Sequence, residues 1–94
     1  MKSLLLPIAL FILVSEPLVQ SFPDKPIRVI VPTEAGGGHD TIARIFQRAI
    51  QEKALLPEKL VIVNIPGAGG AVGTRKIKDA PNDGYTIGIW NPNA

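Results

Sequence analysis

Beyond its first twenty or so residues, the chain reads as short apolar runs separated by glycine-rich loops and amphipathic stretches. Ile27-Arg28-Val29-Ile30-Val31 is β-branched and mostly apolar; Pro23 and Pro26 precede it and Pro32 stops it, which predicts a buried strand. Thr33 to Asp40 follows as a loop containing Gly36, Gly37 and Gly38. From Asp40 to about Lys53, Ile42, Ile45, Phe46, Ala49 and Ile50 recur at three- and four-residue spacing, with Arg44, Gln47, Arg48 and Gln51 between them. That periodicity predicts a helix whose apolar face packs on the sheet. Leu60 to Val63 repeats the strand pattern and runs into a second loop, Asn64 to Gly70. A shorter helix is predicted over Ala71–Lys78, with Val72 and Ile77 inward and its basic residues near the C-terminus, where cations suit the helix dipole. Pro81-Asn82-Asp83-Gly84 is a turn signal. Tyr85 to Trp90 then reads as a third strand, and Asn91 opens the loop after it.

The resulting order is β-α-β-α-β. Apolar strands joined by amphipathic helices imply parallel pairing and an α/β sheet that needs cover on both faces. Two helices cannot cover three strands, and a folded part of about seventy residues is near the lower limit for an independent core. The expectation is therefore a truncated piece of a larger sheet.

The first residues carry a different pattern. Lys2 is followed by an uncharged apolar run from Leu4 to Val14, too short to cross a hydrocarbon core of ~30 Å as a helix. A positive start, a short apolar run, and small residues Val19 and Ser21 ahead of Phe22 together read as an export signal. Residues 1–21 are assigned to a signal peptide and 22–94 to one partial α/β lobe. An uncleaved interfacial helix is the alternative, and Pro7 and Pro17 count against it.

Charge and composition narrow the chemistry. The chain has 94 residues, no cysteine and a formal net charge of +2 with both signs interspersed. Disulfides and thiolate metal sites are thereby excluded. Arg75, Lys76 and Lys78 form the densest basic group and Asp79 follows directly, so nucleic acid is not expected as a partner. No serine, cysteine or second carboxylate stands at a useful spacing from His39 or Asp40, so no catalytic residue, metal site or cofactor is assigned.

Both glycine-rich loops follow strands, and ligands of open parallel sheets bind beyond the carboxyl ends of the strands. The first loop runs into a helix N-terminus, where free amides and the dipole attract anions. Two readings stand there: a carboxylate or phosphate site, or a tight strand-to-helix turn. Asp40 at the helix start is read first as a cap and second as a group facing the cleft. In the second loop, Gly67-Ala68-Gly69 has part of a dinucleotide fingerprint, but Val72 stands where Gly or Ala is required. A nucleotide-binding enzyme fragment is therefore the runner-up, beside a truncated product with no binding activity.

Four ordered motifs, F-P-D-K-P-I-R-V-I-V-P, A-G-G-G-H-D, N-I-P-G-A-G-G and D-G-Y-T, cover nearly all of the segment from residue 22. Together they resemble the start of the solute-binding receptors of tripartite tricarboxylate transporters, the TctC/Bug family. The resemblance implies a two-lobed, type II-like periplasmic binding fold that traps a small organic acid, without catalysis, and delivers it to membrane transporter subunits. It implies location in the periplasm and a ligand carboxylate held by backbone groups and ordered waters. Carried onto this chain, the implied ligand-binding residues are Ala35, Gly36, Gly37, Gly38 and Asp40, then Gly67, Ala68 and Gly69, with Asn91 and Asn93 reaching the cleft from the third loop. Thr33-Glu34 departs from the aromatic or proline-containing pair usual in the family.

Overall fold

A computed structural model of the chain describes residues 21–89; residues 1–20, all but the last residue of the expected signal peptide, and residues 90–94, with Trp90, Asn91 and Asn93, lie outside the described residues. Strand β1 (Ile27–Val31) leads through the first glycine-rich loop into helix α1 (Gly38–Glu52). Strand β2 (Leu60–Asn64) follows, then a single 3-10 turn at Ala68–Gly70, helix α2 (Ala71–Asp79) and strand β3 (Thr86–Gly88). The three strands form one sheet in the order β2-β1-β3. Both pairings are parallel, with Val29 opposite Ile62 on one side and Ile87 on the other.

β1 is the central and most deeply buried strand, exposed only at Arg28, and alternation divides its side chains between two faces. Ile27, Val29 and Val31 form a cluster with Ala43 of α1 and Leu60 of β2. Ile30, also buried, points to the opposite face. α2 lies on that face: its Ile77 side chain packs where a Cβ on Gly88, the partner of Ile30, would stand. The two helices therefore cover opposite sides of β1, and β1 to β3 is where the connections reverse direction across the sheet.

Helix α1 turns in the sheet in a way the periodicity does not predict. Its buried residues are Asp40 and Ala43, and Gln47 donates from the same face to the Leu60 carbonyl at 2.8 Å. Of the expected apolar face only Ile50 reaches the core cluster. Ile42, Ile45 and Phe46 are exposed, Phe46 by 62%. The reason is polar: Asp40, Arg44 and Gln47 all find partners at the β2 side, and those bonds fix the rotation of the helix about its axis. Val72 of α2 is likewise exposed rather than inward, and Gly73 takes the inward position.

Gly73 sets how closely α2 approaches the sheet. A Cβ there would stand 2.6 Å from Pro32 Cα and Cβ and 2.7 Å from the Ile65 carbonyl oxygen. The amino-terminal stretch is fastened at the other end of the sheet. Phe22 packs on Tyr85 with ring centroids 4.9 Å apart. The Tyr85 hydroxyl donates to Asp24 Oδ1 at 2.5 Å and accepts from the Asp24 amide at 3.0 Å.

Candidate functional site

The two glycine-rich loops meet above the carboxyl ends of β1 and β2. In the first, Gly36 has φ +92°, a conformation that side-chain-bearing residues rarely adopt. Gly37 follows in extended conformation as the N-cap of α1 and supplies no side-chain cap. The first helix amide to find a carbonyl is that of Thr41, which donates to Gly37 at 2.9 Å. The amides of Gly38, His39 and Asp40 have no hydrogen-bond partner among the described residues. Three free donors thus point out of the positive end of a 15-residue helix, an arrangement suited to a carboxylate or phosphate group.

Asp40 does not cap the helix in the expected sense. It stands at the third helical position and reaches back, accepting the Gly36 amide on Oδ2 at 2.8 Å. The same oxygen accepts Arg44 Nε at 2.9 Å, and Oδ1 accepts Asn64 Nδ2 at 2.9 Å. Asn64 also donates to the Thr33 carbonyl at 3.3 Å. One carboxylate, only 2% exposed, therefore ties the first loop, α1 and the end of β2 together. The Arg44 hydrogen bond, followed by the Gly36 amide and Asn64, lowers its pKa to about 2. The negative charge of Asp40 is balanced by Arg44, so an anion at the neighbouring amides meets little net repulsion.

Beside the first loop, Ala35, Gly36, Thr41, Arg44 and Arg48 border an open depression of about 730 Å3. A smaller cavity of about 220 Å3, with Gln47, Ile50, Leu56 and Leu60 in its wall, sits at the amino end of β2, far from the loops. In the second loop, Gly67, Ala68, Gly69 and Gly70 all have positive φ. The amides of Gly70 and Val72 both turn inward to the Gly67 carbonyl, at 3.0 and 3.5 Å. This loop spends part of its donor capacity on itself, whereas the first loop leaves three amides without a partner among the described residues. The sequence-based candidates Ala35, Gly36, Gly37, Gly38 and Asp40 are contiguous, and Gly67, Ala68 and Gly69 lie on the loop after the neighbouring strand.

Sequence reasoning did not assign Asn64 and Arg44 a part in this site. The Arg44 signal was available as the i, i+4 spacing from Asp40, which places a guanidinium over a carboxylate on one helix face. Asn64 gave no such signal, because its contact with Asp40 spans 24 positions. Among the described residues, no group of three His, Asp or Glu side chains is placed to hold a metal ion.

No family model matches the chain. Protein BugT of Bordetella pertussis is 36% identical over 74 residues, which is 79% of this chain and 22% of BugT. Among solved structures, a TctC solute-binding protein from Polaromonas, without ligand, gives a TM-score of 0.70 at 37% identity over 78% of this chain and 25% of its own. The periplasmic binding protein BugD gives 0.64 at 36% identity, over 71% of this chain and 22% of its own. An R. palustris protein solved with adipate gives 0.71 at 29% identity, over 78% and 24%. The chain spans about a fifth to a quarter of the curated relatives it matches. With sequence identity to BugT and to the Polaromonas TctC protein and a matching fold over that span, the chain belongs to the TctC/Bug family of solute-binding proteins.

Proposed function

We propose that this chain contributes one wall of a periplasmic receptor site for a small carboxylate or dicarboxylate, which the whole receptor delivers without chemistry to a tripartite tricarboxylate-type transporter. The observation that carries the reading is the uncapped start of α1: three free amides, at Gly38, His39 and Asp40, beside an aspartate whose charge Arg44 balances. A carboxylate placed there receives backbone donors and the helix dipole, each such exposed interaction contributing roughly 0.3–1 kcal/mol. The adipate found with the R. palustris relative supports a dicarboxylate as the ligand class. The export signal read in residues 1–21 supports periplasmic location.

A half-site of this kind holds a carboxylate weakly, because a cleft gains affinity by enclosing the ligand from both sides. Titrating the 15N-labelled chain with adipate to tens of millimolar is the direct test. Shifts concentrated on the Gly38, His39 and Asp40 amides, with no binding detectable by calorimetry, are the expected result. Shifts centred on Gly67 to Gly70 or spread without pattern refute the assignment of the α1 start. Micromolar affinity refutes the need for a second wall.

A further inference from the structure

Among the described residues β2 is an edge strand, and the register of the sheet decides which of its backbone groups are free. The Ile27 amide donates to the Lys59 carbonyl at 2.9 Å and the Ile65 amide to the Val31 carbonyl at 2.8 Å. The parallel ladder to β1 therefore uses the N–H and C=O of Val61 and Val63. Those of Leu60, Ile62 and Asn64 point the other way, out of the sheet edge. Gln47 takes the Leu60 carbonyl at 2.8 Å. Ile62 and Asn64 each keep a backbone donor and acceptor without a partner among the described residues. At the lower end of this edge lies the cavity of about 220 Å3, with Ile50, Leu56, Pro57 and Leu60 in its apolar wall. That wall is fixed where the chain leaves α1: the Ala54 amide donates to Gln51 at 3.3 Å and the Leu55 amide to Ile50 at 3.0 Å, the paired bonds that close a helix end. At the upper end Arg44 leans over Asn64, its Nη2 3.5 Å from Asn64 Oδ1 and its side chain 49% exposed. Arg48, one turn further along α1, is exposed and has no ion pair among the described residues.

We propose that β2 accepts an extended segment of a partner protein as an added antiparallel strand, a segment that is acidic beside Asn64 and apolar beside Leu60. Main-chain bonds to Ile62 and Asn64 supply the pairing, and side chains at alternate positions supply the choice of partner. Leu60, Ile62 and Asn64 share the face that carries α1, because side chains alternate along a strand and Leu60 packs with Ala43. Partner residues opposite Leu60 and Asn64 lie on the same face, four positions apart and ~13 Å along the strand. The first enters the cavity, which is larger than the ~150 Å3 apolar cavity known to hold benzene, and so takes a leucine-sized side chain. The second meets Arg44 in a charge-assisted hydrogen bond, with Arg48 adding positive charge. Read from its amino end, the segment is acidic-x-x-x-apolar. A second copy of β2 does not fit this edge as well. Leu60 to Asn64 contains no acidic residue, and a two-fold axis through Ile62 sets the arginine-bearing flanks of both α1 helices on one face of the joined sheet, where they repel. This inference is independent of which solute is bound.

The 15N-labelled chain is titrated with three capped peptides, E-T-V-T-L, K-T-V-T-L and E-T-V-T-A, so that no substitution in the protein is needed. The first peptide should shift the Ile62 and Asn64 amides together with the Gln51 and Leu56 amides beside the cavity. It should bind about tenfold more tightly than either of the others, and its advantage over K-T-V-T-L should shrink as salt is raised to about 0.5 M. Equal binding of all three peptides overturns the proposal, as does the lack of any shift at millimolar peptide. Shifts at Gln51 and Leu56 without Ile62 and Asn64 also overturn it and assign the cavity to a free apolar ligand. Shifts of Ile62 and Asn64 on concentrating the chain alone overturn it in favour of pairing between two copies of β2.

Discussion

Gly73→Ala isolates the contact that holds α2 to the sheet. Inside a helix, replacing glycine by alanine ordinarily stabilises by about 0.8–1.0 kcal/mol. Here the new methyl group would stand 2.6 Å from Pro32 Cα, where ordinary contact begins near 3.4 Å. The shortfall, 3.4 minus 2.6, is about 0.8 Å. Neither neighbour can yield by rotating a side chain. Pro32 is a closed ring at the end of the central strand, and the Ile65 carbonyl belongs to backbone held by the Ile65 amide bond to Val31 at 2.8 Å. Helix α2 must therefore retreat, with the overpacking cost of about 1–3 kcal/mol typical of closed interiors, toward the upper end because both contacts are backbone. After subtracting the propensity gain, the expected net loss is about 1–2 kcal/mol. In a folded unit of this size that lowers Tm by roughly 5–15 °C. Gly38→Ala is the matched comparison, since its Cβ would meet nothing within 4 Å and its φ is not positive; it should hold or raise stability. Urea unfolding followed by circular dichroism at 222 nm measures both. A Gly73→Ala chain as stable as the parent would falsify the close-contact account.

Two titrations probe the polar anchors. The Asp40 pKa is lowered from 3.8 to about 2, so its contribution to stability is fully present above pH ~4 and is lost as the pH falls through about 2. The Gly36 amide shift, followed by NMR, should titrate near 2 in the parent and lose that step in Asp40→Asn; a midpoint near 4 refutes the network. Tyr85 has its pKa raised, chiefly by the hydrogen bond it donates to Asp24. The stability from that bond is full below pH 10 and declines as the pH rises through the higher folded-state value. Ultraviolet absorbance of the phenolate in the folded chain should rise later than in urea, and coincident curves refute the clamp.

The succession of elements and the direction of the strands were legible because β1 and β2 are short β-branched runs bounded by proline, and because helices between them force parallel pairing. The placing of the glycine loops followed from the same pattern. The rotation of α1 was not legible. Its apolar residues define a clear face at helical spacing, but periodicity records which side is apolar, not which side is buried within this span. Asp40, Arg44 and Gln47 decided the matter through bonds to Asn64 and Leu60, residues 13 to 24 positions away. Gly73 was hidden for a related reason. The fingerprint comparison directed attention to Val72, whereas the close approach of helix to strand falls on the next residue and depends on where Pro32 ends β1.

These two misreadings bear on function in opposite ways. Gly73 draws the start of α2 tight against Pro32, so the second loop is pulled down and folds on its own Gly67 carbonyl. Asp40, by turning back to Gly36 instead of bonding the first helix amides, leaves those amides free and holds the first loop open. An aspartate in the ordinary N-cap position would have taken one of these free donors. Moving the carboxylate to the third helical position, with Arg44 one turn further on, keeps the loop fastened and the donors unspent. The asymmetry between two similar glycine-rich loops thus comes from where one glycine and one carboxylate fall relative to the helix start. On the proposed carboxylate reading, recognition then falls to the loop after β1 and a supporting role to the loop after β2.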